Sequence, residues 1–86
     1  MDGLEFIELS KIKVAEAANR VQPDFYSYEP DDIYVVWSSK VLQNNKGLFS
    51  TPGNDGLYFE VTYNGDENEL YVDTYKKHEN NVFFFY

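Results

Sequence analysis

The chain has 86 residues, 43% of them hydrophobic, with fifteen carboxylates against seven Lys and Arg, a net charge of −8, one histidine and no cysteine. That length holds one domain with one core, spanning residues 1–86, and its hydrophobic content excludes a disordered acidic tail. The charge disfavours direct nucleic-acid binding and anionic membranes, while the missing cysteines exclude disulfides, thiolate nucleophiles and zinc–thiolate sites.

Residues Gly3 to Arg20 have helical periodicity, which gathers Leu4, Phe6, Ile7, Val14, Ala15, Ala17, Ala18 and Val21 on one broad face. Glu8 with Lys11 and Glu16 with Arg20 have the spacing of pairs on a helix surface. Leu9 and Ile12 fall on the polar side, either as single exposed apolar residues or as a narrow second contact stripe. Pro23 is expected to end the helix, and residues 22–32 form a connection with a turn at Pro30-Asp31-Asp32.

Ile33 to Leu42 reads as a strand with Ile33, Val35, Trp37 and Val41 on one face and Lys40 on the other. Gln43 to Gly47 has turn chemistry, and Leu48 to Thr51 returns as a second strand before the breaker Pro52 to Gly56. Leu57 to Tyr63 alternates cleanly. Asn64 to Asn68 is a hairpin loop, and Glu69 to Lys77 is the partner strand with Leu70 and Val72 inward. Val82-Phe83-Phe84-Phe85-Tyr86 is apolar enough to aggregate if left bare, so part of it is expected to dock on the sheet or the helix. The expected fold is α+β: one N-terminal helix packed on an antiparallel meander of about four strands.

Catalytic residues are not expected. His78, the single histidine, sits in a turn-like stretch, and neither a nucleophile elbow nor a phosphate-cradling glycine loop is present. Asn64, Asp66, Glu67 and Glu69 offer oxygens around a glycine but lack calcium-loop spacing, so a solvated hairpin tip is expected, without metal or cofactor.

The outer face of the last hairpin is the candidate binding surface. If Tyr63 lies across from Leu70, then Glu60 faces Asp73 and Tyr58 faces Tyr75 on the solvent side, with Lys40 as the cation answering the carboxylates. A register shifted by two residues would separate those charges. Tyr58, Glu60, Asp66, Glu67, Glu69, Tyr71, Asp73 and Tyr75 are the expected partner-binding residues, acids supplying field and tyrosines supplying rigid contact area.

Across Glu5 to Asn80 the sequence resembles a family of small, functionally uncharacterised proteins of phages and prophages of Gram-positive bacteria. The resemblance is carried by Phe6-Ile7-Glu8-Leu9, Val35-Val36-Trp37-Ser38, Leu42-Gln43-Asn44-Asn45-Lys46, and Tyr58-Phe59-Glu60-Val61-Thr62-Tyr63-Asn64-Gly65-Asp66. It continues through Glu69-Leu70-Tyr71-Val72-Asp73 and Tyr75-Lys76-Lys77. It implies a phage origin and the cytoplasm of an infected cell, and it assigns no catalytic residue.

The expected function is therefore that of an acidic accessory protein, not an enzyme, that binds a host protein with a basic surface, inhibiting or redirecting a defence or nucleic-acid-handling complex. A self-associating scaffold, a homodimer joined by the sheet edge or the aromatic C-terminal segment, is the alternative. A nucleotide-signal sponge using Lys40, Lys46, Lys76 and Lys77 is a third. The N-terminal residues Met1 to Glu5 lack the basic and apolar regions of a leader, so a soluble cytoplasmic protein that does not enter the membrane is expected.

Overall fold

A computed structural model of the chain describes residues 1–21, 27–53, 55–79 and 81–85. Pro23 and Tyr86 lie outside the described residues. The elements are α1 (Gly3–Val21), a 3₁₀ turn (Pro30–Asp32), β1 (Tyr34–Val41), β2 (Asn44–Ser50), β3 (Leu57–Asn64) and β4 (Glu69–Lys76). The strands pair antiparallel in chain order, a meander with β1 and β4 at its edges, and α1 lies across one face. The fold is the expected α+β arrangement.

The helix starts where Asp2 accepts a hydrogen bond from the Glu5 backbone N–H at 2.8 Å, satisfying one of the orphan donors of the first turn. That bond holds the Asp2 carboxyl below its ordinary range. Phe6, Ser10, Val14, Ala15, Ala17 and Ala18 form the buried stripe. Leu4 and Val21, expected on it, are exposed. Among the described residues the helix ion pair is Lys13 to Glu16, at 3.2 Å, rather than the two pairs that spacing suggested. Ile12 is exposed and Leu9 half-buried.

The core lies between α1 and the inner sheet face. Phe6, Val14, Ala18, Phe49, Phe59 and Val61 are fully shielded, and Phe6 meets Phe49 edge to face with centroids 6.2 Å apart. Ile7, Val35, Tyr63, Leu70 and Val72 pack around them. The molecule is only 19 Å thick, the depth of one helix and one sheet.

A polar strut ties the loops to this core. Asn19 donates to the Tyr28 carbonyl at 3.0 Å and accepts from the Tyr28 N–H at 2.7 Å, and the buried Tyr28 donates its hydroxyl to Asp55 at 3.0 Å. Asp55 also accepts from the Thr51 hydroxyl and the Leu57 N–H, so one carboxylate closes the β2–β3 connection. Gly56 supplies the left-handed residue of that turn, at φ 71°.

Three expectations about β1 and β2 need correction. The turn is confined to Leu42 and Gln43, with Leu42 at φ 57°, while Asn44 to Gly47 belong to β2. Pairing to neighbours on both sides overrides their turn chemistry. Secondly, β1 is irregular: Val35 pairs with Phe49 and Trp37 with Leu48, leaving Val36 as the extra residue of a β-bulge. Because side chains alternate, the bulge moves Trp37 and Val41 to the outer face and Lys40 to the helix-side parity. Lastly, β2 runs over Asn44–Ser50 rather than Leu48 to Thr51, which sets Gly47 inside the ladder, where the Phe6 and Phe49 rings crowd it. A Cβ at Gly47 would lie 2.8 Å from Phe49 and 3.2 Å from Phe6.

Candidate functional site

Among the described residues no element covers the outer face of the sheet, and the register writes its content in rows. Tyr34, Ser50, Tyr58 and Tyr75 form one row, Trp37, Leu48, Glu60 and Asp73 the next, and Ser39, Lys46, Thr62 and Tyr71 a third. The β3–β4 register is the one with Tyr63 across from Leu70, so Glu60 does oppose Asp73 and Tyr58 does oppose Tyr75.

Like charges directly opposed across an antiparallel pair cost up to about 1 kcal/mol. The answering cation is Lys46, whose Nζ stands 3.7 Å from Glu60 and is half exposed. Lys40, expected in that role, lies on the other parity. Asp73 has no ion-pair partner among the described residues. A solvent-screened pair of this kind contributes little to stability, so the row keeps a net negative field. Next to it Tyr71 donates its hydroxyl to Glu69 at 2.7 Å, and that bond, with the charge of Glu69, raises the Tyr71 pKa above its usual value.

The eight expected partner-binding residues therefore separate into two groups. Tyr58, Glu60, Tyr71, Asp73 and Tyr75 share the open face, with Glu69 at its margin. Asp66 and Glu67 sit in the exposed β3–β4 turn, where their backbone N–H groups donate to the Asn64 side chain at 3.1 and 3.3 Å. Asn64 is thus engaged in closing the turn. Among the described residues no three metal-capable side chains converge. Lys40 and Lys46 lie at the β1–β2 turn end of the sheet, whereas Lys76 pairs with Leu57 at the opposite end, so the four lysines do not form one cluster.

Trp37 is the residue that sequence pattern misplaced. It is 44% exposed, and with Tyr34, Val36, Leu48 and Tyr58 it forms an apolar corner toward β1, facing the acidic half toward β4. The bulge that turns it outward is not reported by any local periodicity. At the turn end of the face, Ser39, Asn44, Thr62 and Asn64 leave a shallow saddle of about 330 Å³ between Val41 and Lys46.

The Val82–Phe85 segment does not dock on the sheet or the helix: its side chains are 65–92% exposed. His78 is exposed in the stretch after β4. Among the described residues no helix is long and apolar enough to cross a membrane.

Comparison with curated proteins and with solved structures gave no match. A family model does match, covering residues 7–84 and so every element but the first turn of the helix. The chain belongs to a family of unknown function (DUF6275).

Proposed function

We propose that the protein is a phage-encoded accessory protein that works in the infected cell by binding a host protein, its uncovered sheet face meeting a basic surface on the partner. The observation that carries this reading is the juxtaposition of Glu60 and Asp73 on that face, flanked along their strands by Tyr58, Tyr71 and Tyr75. Holding two carboxylates side by side costs stability, and a partner's Arg or Lys recovers it through charge-assisted hydrogen bonds. Tyrosine rings two residues away along each strand, about 7 Å from the acids, supply the flat contact area that arginine stacking and interface packing use. Nucleic-acid-handling and defence complexes present such basic, ring-stacking surfaces, and acids with tyrosines can occupy them in place of phosphates and bases. The phage origin rests on the resemblance carried by Phe6 to Leu9 of the helix and by the strand segments.

Retention of host proteins from bacterial lysate at two salt concentrations tests the reading. We expect a host protein retained at low salt and released at higher salt, and retention lost when Glu60→Gln and Asp73→Asn are combined but kept with Glu8→Gln on the exposed helix surface. Failure of the unaltered chain to retain any host protein at low salt sinks the proposal, as does equal retention by the double variant.

A further inference from the structure

Two apolar features of the molecule are without cover, and they complement one another. One is the Trp37 corner of the open face. The other is the Val82–Phe85 segment, with Phe84 82% and Phe85 92% exposed. Exposed apolar surface of this size, rimmed by polar groups, marks an interaction site.

We propose that the Val82–Phe85 segment of one copy covers the Trp37 corner of a second copy, reciprocally, so that the chain is an exchanged homodimer with the acidic β4 halves left open. Charge selects this pairing over a face-to-face dimer. Two copies each carrying −8 would bring Glu60 and Asp73 against their own images, whereas Val82–Phe85 is uncharged and follows a stretch in which Lys76 and Lys77 outweigh Glu79. Those cations arrive beside the partner copy's acidic row as the aromatic segment settles on its corner.

Reach and area agree. From Lys76 to Phe83 is seven residues, an extended span of roughly 23–25 Å, against about 14 Å across four strands. An aromatic side chain buries roughly 150–250 Å², so the three phenylalanines of both segments together remove roughly 900–1,500 Å² before the covered corners are added. That falls within reach of the 1,200–2,000 Å² or so of a stable specific interface. The segment does not use its own chain's face, since Val82 to Phe85 stay 65–92% exposed. A neighbouring copy offers the same corner to it.

Trp37, the single tryptophan, reports directly on the seat. Sedimentation velocity of the purified chain between about 1 µM and about 1 mM should show mass rising to twice the chain, with tryptophan emission shifting to the blue in parallel. A chain truncated after Val82, and separately Trp37→Asp, should each stay monomeric while keeping the circular dichroism of the fold. Mixing those two variants is the decisive arm: Trp37→Asp copies carry intact segments but no tryptophan, and truncated copies carry intact corners but no segment. Their mixture should recover one of the two seams, and the emission of the truncated copies should shift blue. A full chain that stays monomeric throughout, a truncated chain that still dimerises, or a mixture without a blue shift overturns the proposal. Because only purified chains are used, its failure is separable from failure to bind a host protein.

Discussion

On the helix side of the sheet Phe49, Phe59 and Val61 are fully shielded, while one residue along the same strands Tyr58 is exposed and Leu48 and Glu60 are half-buried. Aromatic content does not separate the two faces; cover does. The inner face is covered by α1 and carries the stability of the fold, whereas the outer face leaves its rings and carboxylates exposed. Apolar residues in a small domain thus divide into those that fold it and those that stay at its surface, and strand parity does the dividing.

The sharpest way to break this contrast is a pair of truncations. Phe59→Ala should lower unfolding free energy by about 3–5 kcal/mol, a large part of the 5–15 kcal/mol or so that a domain has, while Trp37→Ser should stay within about 0.5 kcal/mol. Urea midpoints measure both, and equal losses would mean that the outer face is a second core. Gly47→Ala comes next, with an expected loss of about 1–3 kcal/mol from overpacking Phe6 and Phe49.

Asn45 tests the inner face from the opposite direction. It is 2% exposed, on the helix-side parity, and neither polar atom of its amide meets a partner among the described residues. Asn45→Val removes that unmet demand and should raise stability by about 1 kcal/mol, seen as a melting temperature higher by about 4–8 °C. A lower melting temperature would show the amide to be satisfied. The smallest effect belongs to the outer face. The Tyr71 hydroxyl bond to Glu69 holds while the phenol is protonated, so its contribution is present below the ordinary tyrosine pKa and is lost as pH rises through the raised one. In Glu69→Gln, a tyrosine-labelled NMR titration should find Tyr71 ionising at lower pH than in the unaltered chain.

How much of this could be read from residues follows from how local each signal is. The helix and the β3–β4 hairpin declare themselves through period and turn chemistry, but the sequence leaves two registers open, and the structure takes the one with Leu70 opposite Tyr63. Trp37 could not be placed that way, since its facing is set by the bulge at Val36, which strand alternation does not announce. Asn44 to Gly47 mimic a turn, yet a central strand with two neighbours makes them extended. The Asn19–Tyr28–Asp55 strut ties the helix to two connections without periodicity, through bonds between residues up to 27 positions apart. Of the candidate site, the tyrosine and acid half was legible because it lies on one regular hairpin, and the Trp37 corner was hidden behind the bulge.

The bulge at Val36 also governs what β1 can do as an edge. An uninterrupted edge strand presents a continuous row of unpaired N–H and C=O groups, a template on which other chains can stack. The irregularity breaks that row in the most apolar part of β1, and at the other edge Glu69, Asp73 and Lys76 space like copies apart. Deleting Val36 would leave Trp37 paired with Leu48 on the same outer face while making the strand regular. Such a chain should fold and present the same corner, yet form fibrils from concentrated solution where the unaltered chain stays clear. One surplus residue is therefore expected to guard the edge of a sheet whose outer face is rich in aromatic rings.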